Sequence, residues 1–135
     1  MTLSLSINNT LAALAEAQAR VDAFLSSHSM SSEAAYAIRL SIEELVSNII
    51  RHAYDDHEPH EIGISLEILT RSIELTVEDD GRPFDPNSAQ PVPVPASLDE
   101  APTGGMGLSL VRTIAGPLEY QRLNNRNRVK LRIFF

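Results

Sequence analysis

The chain has 135 residues, 43% of them hydrophobic, which suits one compact domain with a real core and leaves no room for two ordinary ones. Asp and Glu outnumber Lys and Arg by 18 to 11, for a formal charge of −7, and no basic stripe is present, so a nucleic-acid partner is not expected. Cysteine is absent, which removes disulfides, thiolate metal sites and cysteine nucleophiles. In chain order, Leu3, Leu5 and Ile7 alternate with Thr2, Ser4 and Ser6, predicting a half-buried strand. Leu11, Leu14, Val21, Phe24 and Leu25 then recur at helical period behind the capping candidates Asn9 and Thr10. A second helix is expected from about Ser32 to Tyr54, with Ile38, Ile42, Leu45, Val46, Ile49 and Ala53 on one face.

Period-two alternation returns at Ile62–Ile68 and Ile73–Val77, two strands turned by Thr70-Arg71. A third helix follows Gly104-Gly105-Met106-Gly107 and stops near Gly116. A weaker strand spans Leu118 to Leu123. The last runs from Val129 to Phe135, with Asn124-Asn125-Arg126-Asn127 as the connection. Half-buried strands with helices between them predict an α/β (α+β) two-layer sandwich: a five-stranded, mostly antiparallel mixed sheet with three helices on one face. Residues 1–135 read as a single domain. No apolar run approaches the ~20 residues of a membrane span. The N-terminal Met-Thr-Leu-Ser-Leu-Ser lacks the build of a signal peptide, so a cytoplasmic protein with no membrane partner is expected.

Three segments can carry chemistry. At ~100° per residue, Ser41, Glu44, Asn48, Arg51 and Asp55 form a polar stripe on the second helix. Glu44 and Asn48 lie one turn apart, a carboxylate suited to base work beside an uncharged oxygen ligand suited to Mg²⁺. The plainer account of the stripe is the wet face of an amphipathic helix. Next, Val77-Glu78-Asp79-Asp80-Gly81-Arg82-Pro83-Phe84-Asp85-Pro86 ends a strand in carboxylates and turns on glycine and proline. A strand-end carboxylate can accept from an exocyclic amine, and a glycine lets a flat ring approach the backbone. An ordinary charged turn has the same composition. Finally, Gly104-Gly105-Met106-Gly107-Leu108 opens a helix, where exposed N–H groups and the helix dipole favour phosphate; a flexible hinge has the same look. Between the second and third segments, Pro83 to Pro102 holds six of the eight prolines and no periodicity, a stretch long enough to be functional or disordered. Only one lysine is present, Lys130, and it lies in a strand. Neither a P-loop nor a eukaryotic-type kinase apparatus is available to this chain.

Taken in order, these segments resemble the histidine-kinase-like ATPase (GHKL, Bergerat-fold) superfamily. Glu44-Leu45-Val46-Ser47-Asn48-Ile49-Ile50-Arg51-His52-Ala53-Tyr54 resembles its N-box. Asp79-Asp80-Gly81-Arg82-Pro83-Phe84-Asp85-Pro86 resembles its first glycine box, and Gly105-Met106-Gly107-Leu108 its second. The form of these boxes is most similar to that of bacterial anti-sigma-factor serine kinases. Glu119-Tyr120-Gln121-Arg122 and Asn124-Asn125-Arg126-Asn127 also look familial. Pro83 departs from the commoner glycine of the first box.

The resemblance implies ATP and Mg²⁺ as cofactors. Glu44 would be the general base, and Asn48 the Mg²⁺ ligand. Asp79 would hold the adenine amino group, with Gly81 against the ring. Gly105 and Gly107 would lie close to phosphate, with an ATP lid at about 86–106. Arg51 and His52 would be nucleotide-proximal or structural. It further implies a serine kinase acting on a STAS-type anti-sigma-factor antagonist, sequestration of an RNA-polymerase sigma factor, and a homodimer. An alternative from the same boxes is a nucleotide-gated protein-binding module with little or no transfer activity. His57 and His60 lie in an acidic turn and are expected to be solvated, Glu43 to be a surface charge, and Phe84 to be packing.

Overall fold

The computed structural model describes residues 1–88 and 106–135; Gly105 and most of the expected lid lie outside the described residues. The elements run β1 (Thr2–Asn8), α1 (Leu11–Ser26), α2 (Ser32–His52), β2 (Glu61–Ile68), β3 (Ser72–Asp79), α3 (Met106–Ala115), β4 (Glu119–Leu123) and β5 (Arg126–Phe134). A short 3-10 turn at Pro86–Ser88 follows β3. Of the two capping candidates, Thr10 starts α1, its hydroxyl accepting from the Ala13 N–H at 3.1 Å. Ser31 does the same for α2, accepting from Ala34 at 3.2 Å. Gly116 closes α3 at φ +77, a left-handed conformation that a side chain would resist.

The sheet order is β1-β2-β3-β5-β4. It is not mixed: all four pairings are antiparallel. The connections explain this. Two helices lie between β1 and β2, so the chain returns to the end of the sheet it left, and β2 runs back against β1. The single helix α3 makes β4 parallel to β3, as one crossover must. But β5 then folds back between them and pairs with both. The β4–β5 connection is tighter than its four turn-forming residues suggested. Asn124 and Asn125 alone make it, at φ 53 and 61, the left-handed pair of a two-residue hairpin turn. Arg126 and Asn127 already belong to β5.

The core lies between the sheet and the helices. Ile38, Ile42 and Val46 of α2 are fully buried, as are Ile64 and Leu66 of β2 and Ile73 and Leu75 of β3. Each such side chain contributes about 1.5–3 kcal/mol relative to exposure. The other face of the sheet is charged. Glu74 sits opposite Arg132 and Glu78 opposite Arg128, with N···O distances of 3.0 and 2.8 Å. Exposed pairs of this kind are worth about 0–1 kcal/mol each, so they reinforce the register more than they stabilise the fold. The apolar alternation beneath them sets that register, because a one-residue slip would turn Val129, Leu131 and Ile133 out to water.

Candidate functional site

A cleft of about 270 Å³ opens between α2 and the sheet. From α2 it is lined by Leu45, Asn48, Ile49, His52 and Ala53, and from the sheet by Val77, Asp79, Asn127 and Val129. Arg82, Phe84 and Pro86, from the loop after β3, close one side. The walls are mostly apolar with a few polar points, the build of a small-molecule site. Asn48 and Asp79 therefore line one cavity. Ala53, at the end of α2, packs on Gly81 next to Asp79. Asn48 is five positions back along the helix, about 7.5 Å at 1.5 Å per residue, and Glu44 about 6 Å further. The carboxylate of Asp79 thus marks one end of a track and Glu44 the other.

The expected polar stripe of α2 is not a wet face throughout. Ser41 is buried, its hydroxyl donating to the Ala37 carbonyl at 2.7 Å. Glu44 and Asn48 are half-buried, while Arg51 and Asp55 are exposed. α3 packs against α2 and brings Gly107 onto Glu44. A β-carbon on Gly107 would fall 1.8 Å from Glu44 Cδ and Oε2. Burial raises the Glu44 pKa, Glu43 adds to the rise, and the Arg51 guanidinium partly opposes it. Among the described residues the Asn48 carboxamide makes no hydrogen bond, which leaves its oxygen available to a hard cation.

Asp79 ends β3 and is almost wholly buried. Its Oδ2 accepts from the Gly81 N–H at 2.9 Å and from Asn127 Nδ2 at 3.1 Å. Among the described residues Oδ1 accepts nothing, so its lone pairs remain for a donor in the cleft. Burial raises the Asp79 pKa and Asp80 pushes the same way, while Asn127, the Gly81 N–H and Arg122 pull it back. This is a buried carboxylate held by hydrogen bonds on one side and unsatisfied on the other.

Gly81 is placed differently from the expectation that it would face a flat ring. The space a side chain would need is filled by Ala53, with Cβ at 2.5 Å and O at 2.8 Å, and by Asp79 Oδ2 at 2.9 Å. The Arg82 N–H donates to the same Ala53 carbonyl at 3.1 Å. Glycine is required here so that the strand-end loop can dock on the C-terminus of α2. Phe84, expected as packing, is 46% exposed at the mouth of the cleft.

Asn127, which the sequence assigns to a turn, is instead buried, lines the cleft and sits opposite Asp79 in the β3–β5 ladder. The signal that can find it is the hairpin rule: two asparagines suffice for a turn, so the third belongs to the strand. His60 is not a free solvated side chain either. It stacks on Tyr54 at 4.0 Å, with Nε2 2.9 Å from Asp56 and Nδ1 3.3 Å from Asp80.

A buried carboxylate and an uncommitted carboxamide thus line one apolar cleft in an antiparallel α+β sandwich, the build of a small-molecule site. The chain belongs to the histidine kinase-like ATPase domain family, which matches residues 7–133. It is 34% identical over 96 residues to the serine/threonine-protein kinase BtrW of Bordetella bronchiseptica, covering 71% of this chain and 68% of that protein. It is 29% identical over 119 residues to the anti-sigma F factor of Clostridium novyi, covering 88% and 80%. With the serine-protein kinase RsbW of Bacillus subtilis it shares 26% identity over 88 residues, 62% of this chain and 55% of that protein, so the match spans about half of RsbW. The crystal structure of the RsbU and RsbW domains of Rv1364c from Mycobacterium tuberculosis has the same fold. It superposes with a TM-score of 0.70 at 14% identity, covering 99% of this chain and 32% of that one.

Proposed function

We propose that the protein is an ATP-dependent serine protein kinase that acts as an anti-sigma factor. Its substrate is a serine of a STAS-type antagonist in a partner-switching pathway. The observation that carries this reading is the placement of Asn48 and Asp79 on the walls of one apolar cleft, with Glu44 a turn further along α2 beneath Gly107. The names of the related kinases and of the anti-sigma F factor support it. A sigma factor is then the second partner and a homodimer the working form.

In this reading Asp79 Oδ1 accepts from the adenine amino group, and Val77, Ile49 and Val129 supply the apolar walls around the ring. Magnesium ions neutralise phosphate charge, and Asn48 is the residue whose carboxamide oxygen suits that cation. Glu44 then orients the serine hydroxyl and takes its proton. The seryl oxygen forms its bond to the γ-phosphorus as the bond to the bridging oxygen of the leaving diphosphate breaks. Positioning and charge neutralisation dominate such a transfer. With no lysine near the cleft, the arginines and the first turn of α3 are the chain's own sources of positive potential.

The test is transfer from radiolabelled ATP to candidate STAS partners. Glu44→Ala should keep MgATP binding and lose phosphoserine formation, and intact transfer would remove Glu44 as base. Asn48→Ala should weaken ATP binding only when Mg²⁺ is present. If saturating MgATP fails to raise the melting temperature of the wild-type protein, the nucleotide reading itself falls.

A further inference from the structure

We propose that Asn127, backed by Arg122 and Tyr120, is the positioning residue that fixes Asp79 for reading a purine, and that this relay sets the preference for adenine over guanine. The proposal rests on the nucleotide reading above. Its own basis is the hydrogen-bond pattern around one side chain.

Asn127 is buried and makes four hydrogen bonds. Its Nδ2 donates to Asp79 Oδ2 at 3.1 Å and to the Arg82 carbonyl at 2.8 Å. Its Oδ1 accepts from the Tyr120 hydroxyl at 2.6 Å and from Arg122 Nη1 at 3.1 Å. The same Arg122 nitrogen donates to the Gly81 carbonyl at 2.7 Å. Two acceptors lie on one side of Asn127, a carboxylate and a carbonyl. On the other lies a guanidinium, which can only donate. A primary amide in one orientation satisfies both sides, and the flipped amide would set oxygen against carboxylate and N–H against guanidinium. Neither Asp nor Leu can make this set, and a hydroxyl is too short for four partners.

All four bonds of Asn127 are internal, so it has nothing left for a ligand. Its effect must pass through Asp79. By occupying Oδ2 it leaves Oδ1 to face the cleft, and its donor bond favours the charged carboxylate over the neutral acid. A charged carboxylate accepts from the amine of adenine and is repelled by the carbonyl oxygen that guanine presents at the same position. A neutral acid can donate to that carbonyl instead. Asp79 is otherwise faced by Arg122 from β4, Tyr54 and His52 from the end of α2, and Asp80 and Arg82 from its own loop. Burial and Asp80 both push Asp79 toward the neutral form, and the asparagine bond opposes them.

The experiment measures ATP and GTP affinity, with Mg²⁺, by calorimetry from pH 5 to 8 on the full chain. The variants are Asn127→Leu, which removes the donor, and Arg122→Gln, which weakens the relay one step back. Asn127→Leu is expected to narrow the ATP-over-GTP ratio at pH 7 by about tenfold, the order of one hydrogen bond to a charged group. It should also move the acid limb of ATP binding to higher pH. Arg122→Gln should do both to a smaller degree. A purely structural role would lower both affinities together and leave the ratio and the pH profile in place, and that result overturns the proposal. Should Asn127→Leu fail to fold, Arg122→Gln decides alone, an unchanged ratio and profile again overturning it. If the wild-type protein binds no ATP at any pH, the nucleotide reading fails first, a result distinguishable from a wild type that prefers ATP and variants that prefer it equally.

Discussion

The Glu44 carboxyl fills the space that a side chain on Gly107 would need. The first turn of α3 comes so close to the Glu44 carboxyl that a β-carbon on Gly107 would fall 1.8 Å from its Cδ and 2.4 Å from its Cγ. The glycine of one motif is thereby the seat for the carboxylate of another, although 63 positions separate them in the chain. A methyl group on Gly107 can be accommodated only if Glu44 swings away, because its neighbour there is the mobile end of a side chain. Gly107→Ala should therefore lower phosphoryl transfer by about 10–100-fold, part of the 10²–10⁴ that a positioned base supplies. ATP affinity should fall by less, and the fold should hold, since alanine favours helix by about 1 kcal/mol over glycine. Single-turnover transfer and equilibrium ATP binding, measured on one preparation, separate the two effects.

Arg51 tunes the same carboxylate from the next turns of the helix. Burial and Glu43 raise the Glu44 pKa, and Arg51 restrains that rise. If Glu44 is the base, as proposed, it must be ionised, and transfer should fall as pH drops through its pKa. Removing the guanidinium lets that pKa rise further. Arg51→Ala is expected to move the acid limb of the rate profile to higher pH while leaving the plateau rate within about threefold. A limb that stays in place would detach Arg51 from the base.

Asp79 sets function against stability. Its folded-state pKa lies above the ordinary aspartate value of 3.8, so the folded protein binds the proton more tightly than the unfolded chain. The ionised form then costs stability at neutral pH, and the cost is relieved as pH falls through the raised pKa. Asp79→Asn keeps the shape and removes the charge. Its melting temperature should equal or exceed that of the wild type at pH 7, with the gap closing on acidification, while ATP affinity falls by about tenfold or more. A variant that melts well below wild type at neutral pH would contradict this.

The His60 clamp has the opposite sign. Asp56 raises the His60 pKa above 6.5, with Asp80 adding to it, and His60 lowers that of Asp56. The raised histidine contributes stability that is fully present below its unfolded value near 6.5 and is lost as pH rises through the folded value. The depressed carboxylate contributes above 3.8 and is lost as pH falls through its lowered value. The clamp is therefore complete only between these limits. His60→Gln should lower the melting temperature most near pH 5–6 and little at pH 9, in thermal scans across that range.

The local elements were legible because each has its own period. Leu3-Leu5-Ile7 and Ile62–Ile68 alternate with polar residues, and Thr10 and Ser31 mark helix starts with hydroxyls that act as caps. The order of strands in the sheet was not legible, since alternation says which face is buried and nothing about which neighbour pairs. Asn127 was hidden for a related reason. In Asn124-Asn125-Arg126-Asn127 every residue suits a turn, and only the positive φ of the first pair shows where the strand begins. Glu44, Asn48 and Asp79 stand out by residue type and spacing, and the fold brings Asn48 and Asp79 to one cleft and Glu44 against Gly107. Gly81 was found for a different reason from the one the fold gives it, because the arrival of Ala53 against it is a contact between segments 28 positions apart.

The insertion of β5 between β3 and β4 has a consequence for how the molecule is made. A nascent chain complete through β4 owns α2, Asp79 and Gly107, but the seam of its sheet is still open. Asn127 and Val129 have not arrived, and Asp79 has no partner across the ladder. Closing that seam requires pairings of long sequence separation, the slowest kind to form. Until β5 pairs, the cleft lacks one of its walls, so a chain still on the ribosome can present the motifs before the cavity they line is complete.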